Sequence, residues 1–254
     1  MDRVTYREFP APAPLRGLAE CGWSNALATG GVEVVLPDGC MDLVWTGAEL
    51  VVAGPDTEPH PYRPPNGMPA AGLRFAPGRL PALLGVPAAA VRDERAPLAE
   101  LLPDLARRTT ARLEAGAPPA AALLELAVAL PGAPPAAGIS AAVLLIRRGR
   151  SVADTADALG WTTRSLHRHC LDWFGYGPAV LRRILRFRRA SDLLRAGVGT
   201  AEVAARTGYA DQPHLSREVR ALAGVAPGQL SPGRSGPGRS GPGRSGSAQV
   251  GSGA

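Results

Sequence analysis

Apolar positions change their period along this chain. Between residues 32 and 78 they come in short β-branched or aromatic runs: VEVVLP (32–37), MDLVWT (41–46), ELVVAG (49–54) and AGLRFAPG (71–78). Each run is bounded by Pro, Asp or Gly, which predicts a small antiparallel sheet. Pro37-Asp38-Gly39 has the residue types of a tight connection between its first two strands. From residue 79 the spacing turns helical in RLPALLGVPAAAV, LAELLPDLARRTTARLEAG and PAAALLELAVAL. The expected product is an α+β domain over residues 1–130, with the small sheet first and the helices after it. PGAPPAAG (131–138) has no apolar period and reads as a Pro/Gly linker.

Residues 139–230 read as an all-α domain. SVADTADALGWTTRSLHRHC and GTAEVAARTGYADQPHLSREV follow the same plan: a short helix, a Gly with an aromatic, a polar cap residue and a second helix. In the first copy Val152, Ala156 and Leu159 fall at i, i+4 and i+7, Gly160 closes the helix and Thr162 is placed to cap the next. In the second copy Val203 and Ala204 lead to Gly208-Tyr209, with Asp211 as the cap. Two short helices joined by a tight Gly-containing turn form a helix-turn-helix unit, and this chain holds two.

Between the units, PAVLRRILRFRRASDLLRAG predicts a long linker helix that opens with Pro178 in its first turn. Val180, Leu181, Ile184, Leu185, Arg188, Leu193 and Leu194 keep helical spacing, while Arg182, Arg183, Arg186 and Arg189 cover the other side. Some of these arginines are expected to pair with Asp172 or Asp192. At 1.5 Å per residue the helix spans roughly 27 Å. With the width of the flanking units added, the two second helices reach about one DNA turn, ~34 Å, apart. After Ser231 the motif PGRSG repeats, and residues 231–254 offer too little apolar surface to offset ordering entropy, so a disordered tail is expected.

Charge sharpens this division. All 28 basic residues are Arg. Residues 1–138 hold 11 of them against 15 acids, residues 139–230 hold 14 against 7, and the tail holds 3 against none. Coding bias explains Arg in place of Lys but not this asymmetry, which points to a polyanion partner for the back of the chain. The three cysteines are too scattered for a disulfide framework, MDRVTYREFP lacks the apolar core of a signal peptide, and no apolar run reaches the length of a membrane span. A reduced, soluble, cytoplasmic protein without membrane contact is the expectation.

The pair of units, GYGPAVLRRILRFRRASDLLR and GYADQPHLSREVRALAGVAPGQL together resemble the DNA-binding domain of AraC/XylS-type transcription regulators over roughly residues 139–230. In that family the second unit ends in G-[FY]-x-[DS]-Q-[SP]-[HY]-[FL]-[ST]-R followed by G-V-x-P. LPDGCMDLVW, VAGPDTEP and GLRFAPGRLPALLGVP look like the uncharacterised sensor-type domain often attached to such regulators. The resemblance implies a bacterial regulator that binds double-stranded promoter DNA. RNA polymerase, a small-molecule effector and a second copy of the chain are its implied further partners.

By the same resemblance Arg164, His167 and Arg168 read base edges, with Thr163 beside them at the exposed start of the helix. In the second unit the matching positions are Gln212, Pro213, Ser216 and Arg217, with His214 alongside. Arg suits guanine O6/N7 and Gln suits adenine N6/N7, whereas Pro213 has no donor to offer. Thr162, Thr200, Arg182 and Arg183 are the expected phosphate contacts. Cys170 replaces a large aromatic common in the family, and Trp173 or Phe174 is expected to fill the space. In the front domain Trp23, Trp45, Asp42 and Arg74 are the candidate effector-binding residues.

No catalytic residue, metal or cofactor is expected. His167 and His169 are two apart, about 200° around a helix, and cannot share one ion. His60 reads as a solvated residue of a Pro-rich loop. No Gly-rich phosphate loop, G-x-S-x-G elbow or HExxH run occurs. The alternative function is that of a DNA alkylation-damage sensor or methyl-accepting repair protein using Cys40. Its acidic neighbours Asp38 and Asp42 would raise the thiol pKa, so a buried small hydrophobe is the stronger reading.

Overall fold

The computed structural model describes residues 5–26, 33–62, 69–133 and 136–230. The tail expected to be disordered, 231–254, and residues 134–135 of the expected linker lie outside them.

The front part is built on a six-stranded sheet. Its strands are β1 (Thr5–Pro10), β2 (Ala19–Ala26), β4 (Met41–Trp45), β5 (Leu50–Ala53), β7 (Ala70–Phe75) and β8 (Arg95–Pro97), in the order β1-β2-β7-β4-β5-β8. Every pairing is antiparallel. Alternation along the strands gives the sheet two unlike faces. Met41, Leu43, Val52, Leu73 and Phe75 form one buried apolar core with α1 (Leu80–Leu84), α2 (Leu98–Leu101), α3 (Pro103–Glu114) and α4 (Pro119–Val128). Burying each of these large side chains stabilises the domain by about 1.5–3 kcal/mol. The opposite face carries Cys21, Trp23, Asp42, Gly72 and Arg74, which the register places side by side.

Three features correct the sequence reading of this part. Sequence pattern does not announce β1, β2 and β8: TYREFP and RAP hold few apolar residues, AECGWSNA breaks its apolar residues with Glu, Gly, Ser and Asn, and all three owe their conformation to their neighbours. The sheet does not simply precede the helices, since β8 returns to the edge beside β5 after α1. Finally, β3 (Glu33–Val35) is not the hairpin partner of β4. It pairs with β6 (His60–Tyr62) in a separate two-stranded sheet, so Pro37-Asp38-Gly39 crosses between sheets. Gly39, at φ +83°, sits where a β-carbon would press on Leu185 at 3.4 Å.

The back part is helical throughout its described length: α5 (Ala137–Arg147), α6 (Val152–Ala158), α7 (Thr163–Phe174), α8 (Pro178–Arg195), α9 (Thr200–Thr207) and α10 (Gln212–Ala223). Helix α8 serves two cores. Its Leu181 and Ile184 pack with Ile139, Ala156, Leu166, Cys170 and Phe174 of the first unit. Its Phe187, Ala190 and Leu194 pack with Val203, Leu215, Val219 and Leu222 of the second. Phe174, 1% exposed, fills the space beside Cys170. Trp173 instead stacks on His169, which also meets Trp161.

The two parts dock closely. Gly78 leaves no room for a β-carbon against Phe174 and Ile139, and Gly175 lies against Pro55 and Ala88. Arg92 donates to the Gly175 carbonyl at 3.2 Å, and Arg79 to the Ser140 hydroxyl. Leu36, which follows β3, is buried in the core of the second helical unit.

Candidate nucleic-acid interface

Each unit offers one capped helix whose inner face is committed to the core. The Thr162 hydroxyl accepts a hydrogen bond from the Ser165 amide at 3.0 Å, starting α7. Leu166 and Cys170 then point inward, fully buried, and Thr163, Arg164, His167 and Arg168 remain exposed. The Asp211 carboxylate accepts from the His214 amide at 2.6 Å, starting α10. Leu215 and Val219 are buried behind it, with Gln212, Pro213 and Arg217 exposed and His214 and Ser216 half-buried. The docked front part covers the C-terminal end of α7, where Phe174 and Gly175 lie, and leaves the exposed N-terminal arginines free.

Some candidates have structural partners as well. His214 sets its ring edge-on to Tyr209, and its Nδ1 accepts from the Ala210 amide at 3.4 Å. His167 lies so close to Gly177, the residue before α8, that a β-carbon there would be 2.8 Å from Nε2. Arg183 is engaged by Glu218 of α10 at 2.8 Å, and Arg186 shares that carboxylate at 4.0 Å while lying 4.3 Å above the Tyr209 ring. Arg183 thus pairs with Glu218 in place of the expected Asp172 or Asp192. Arg182 is exposed on the wall of a cleft between α8 and the sheet. Thr200 is half-buried in the first turn of α9.

Of the four effector candidates, the sheet brings three together. Asp42 accepts from Trp23 Nε1 at 2.8 Å and lies 3.4 Å from Arg74 Nε. Asp38 and Glu8 also approach Arg74, at 3.6 and 3.7 Å. Gly72 has no space for a β-carbon beneath the Trp23 ring. Burial raises the Asp42 carboxyl above its ordinary range, against the pull of Arg74, and the nearby Asp38 charge adds to the rise. Trp45 is not part of this cluster. Its side chain packs on the apolar core at the other face of the sheet.

Arg188, on the inner stripe of α8, joins the two parts by pairing with Glu20, a residue the sequence pattern does not single out. A β-bulge between Ala19 and Cys21 turns the successive residues Glu20 and Cys21 to the same cleft. Glu20 holds the Arg188 guanidinium through both oxygens, at 3.0 and 2.5 Å. No local sequence signal could pair residues so far apart in the chain. Arg188 also donates to the Cys40 sulfur at 3.3 Å. Burial first, and the Asp38 charge second, push the Cys40 thiol well above its ordinary pKa. A buried, protonated sulfur that accepts a hydrogen bond is no nucleophile, so the repair alternative loses its reactive group. His60 is likewise not a solvated loop residue but half-buried within β6. Among the described residues no group of three or more His, Cys, Asp or Glu could hold a metal ion, and no helix is long and apolar enough to cross a membrane.

Two capped helices with exposed arginines, in paired helix-turn-helix units, define a DNA-binding protein. Comparison with known families agrees: a helix-turn-helix domain family matches residues 155–231, and the family described as Domain of unknown function (DUF6597) matches residues 7–97. The chain has an AraC/XylS-family-like architecture, with a helix-turn-helix domain behind the front domain, which is that of a DNA-binding transcription regulator. Among solved structures it is similar to that of a variant of apo ToxT from Vibrio cholerae, with 11% identity over 90% of this chain and 93% of that one, at a TM-score of 0.40. No curated protein sequence matches it.

Proposed function

We propose that α7 and α10 enter two successive major grooves of a promoter, from one polypeptide, and read it through side chains at their N-terminal ends. Arg164 and Arg168 take guanine edges in one groove, and Gln212 and Arg217 take base edges in the other. Thr163, His167, His214 and Ser216 add shorter-range contacts, and Arg182 and the helix N-termini hold phosphates. Arg183 reaches a phosphate only by giving up Glu218. In this reading residues 1–130 form a sensing or dimerising domain, residues 131–138 a linker whose last two residues already belong to α5, and residues 139–230 the DNA-binding domain. The cluster of Trp23, Asp42 and Arg74 belongs to the sensing function, and the protein works in the cytoplasm beside RNA polymerase.

One observation carries this proposal. Both capped helices bury their inner faces completely yet keep Arg164, Arg168, Gln212 and Arg217 exposed. The test is selection of binding sequences from random duplexes, followed by gel retardation. Arg168→Ala should relax preference at one base pair, by about 1–3 kcal/mol, and leave the remainder of the site unchanged. Arg182→Ala should weaken matched and scrambled DNA alike and lessen the salt dependence. Loss of equal size on every sequence from both variants would refute the division between base and phosphate contacts.

A further inference from the structure

A cleft of about 840 Å³ opens between the polar face of the sheet and α8, a volume suited to a small organic ligand. Its walls differ in how far their charges are satisfied. On the sheet side Glu8 accepts from the Tyr6 hydroxyl at 2.8 Å and faces Arg74, while Glu20 is occupied by Arg188. On the helix side Arg182, Arg186 and Arg189 fall at i, i+4 and i+7, one stripe along α8 turned to the cleft, with Arg147 from the end of α5 beside them.

Arg147, Arg182 and Arg189 make no ion pair or side-chain hydrogen bond among the described residues. Arg186 lies over the Tyr209 ring and shares a single distant carboxylate with Arg183, and its Nε is buried without an acceptor. Asp192 is the one acid at the helix wall, and it lies under the influence of Arg188 and Arg195. Several guanidinium groups therefore converge on a concave space with too few acceptors, where low-dielectric walls concentrate the positive potential. Leu185 and Ile146 add apolar surface between them.

We propose that this cleft binds a small organic anion carrying two or more carboxylate or phosphate groups, seated on the Arg182–Arg186–Arg189 stripe. The proposal deepens the sensing role suggested above for the front domain and rests on it. A ligand there touches side chains of both parts at once, so its binding free energy is coupled to how they dock. Arg182 and Arg189 would then serve the ligand when the parts are docked, and Arg182 could meet DNA phosphates only in competition with it.

The test is isothermal titration of the full chain, without DNA, using citrate and pyrophosphate as probes and glycerol as the uncharged control. Saturable binding of one equivalent of at least one anion is expected, with no heat from glycerol. Arg182→Ala/Arg189→Ala, both at exposed positions, should weaken it roughly tenfold or more, because charge-assisted hydrogen bonds are lost. Arg182→Gln/Arg189→Gln, which keeps the bulk of the side chains, should do the same and guards against a folding artefact. Arg164→Ala/Arg168→Ala should leave the titration unaltered. Absence of saturable binding by either anion, unchanged binding in the α8 variants, or equal loss in the α7 variant would each overturn the proposal. Failure of sequence-specific DNA retardation with anion binding intact would instead count against the DNA-reading proposal alone.

Discussion

Burial of single polar side chains sets most of the residue-scale behaviour. His60 lies in β6 beside Asp56, Arg95 and Asp93, and burial first, then the Arg95 charge, hold its imidazole below the ordinary value of 6.5. The folded protein then binds fewer protons than the unfolded chain as pH falls through 6.5, so stability is full above that pH and declines below it. Melting temperature should therefore drop between about pH 7.5 and 5.5, and drop less in His60→Gln. Parallel curves for the two proteins would rule this out. The raised Asp56 carboxyl acts in the opposite sense at lower pH. Asp42→Ala is a second test at this scale. It strips Arg74 of its nearest carboxylate and Trp23 Nε1 of its acceptor, and breaking such a buried pair costs about 3–5 kcal/mol in urea unfolding. A cost below about 1 kcal/mol, the range of an exposed pair, would show that Asp38 and Glu8 suffice.

At the scale of elements, the back part was largely legible in the sequence. Thr162 and Asp211 cap the helices they were expected to cap, Pro178 opens α8, and Leu166 and Cys170 turn inward. These features rest on interactions within four residues, which local sequence encodes. Thr162→Ala and Asp211→Ala should each cost about 0.5–2 kcal/mol, against less than ~0.5 kcal/mol for the exposed neighbour Thr163→Ala. Chemical denaturation of the three variants measures this directly, and three equal values would deny the caps their role. The strands were less legible. Runs rich in Val and Leu announce strands, but TYREFP of β1 and AECGWSNA of β2, broken by Arg, Glu, Gly, Ser and Asn, do not. β2 is held by β7, more than forty residues away, and β1 by β2, so both strands owe their form to pairing and not to their own propensity.

At the scale of the whole molecule, the two parts are interlocked through residues that a domain-by-domain reading assigns to one side only. Leu36 follows a strand of the front part yet is 3% exposed in the core built from Phe187, Leu194, Val203 and Leu215. Leu36→Ala should cost about 2–5 kcal/mol. Amide hydrogen exchange should show the loss in α9 and α10 as strongly as in the strands. Loosening confined to the front sheet would mean that the contact carries no load between the parts. The Arg188–Glu20 pair, with Cys40 beneath it, ties the same two parts on the other side of α8.

The sequence by itself determined the number of helix-turn-helix units, their caps, the long helix between them and the segregation of acidic front from basic back. All of these follow from short-range periodicity and composition. Only the tertiary structure decided that β3 pairs with β6, that Glu218 holds Arg183, and that a stripe of arginines lines a cleft. Each of these depends on which distant segment supplies the neighbour. Pattern along a chain fixes which face of an element is apolar, but not what comes to lie against it.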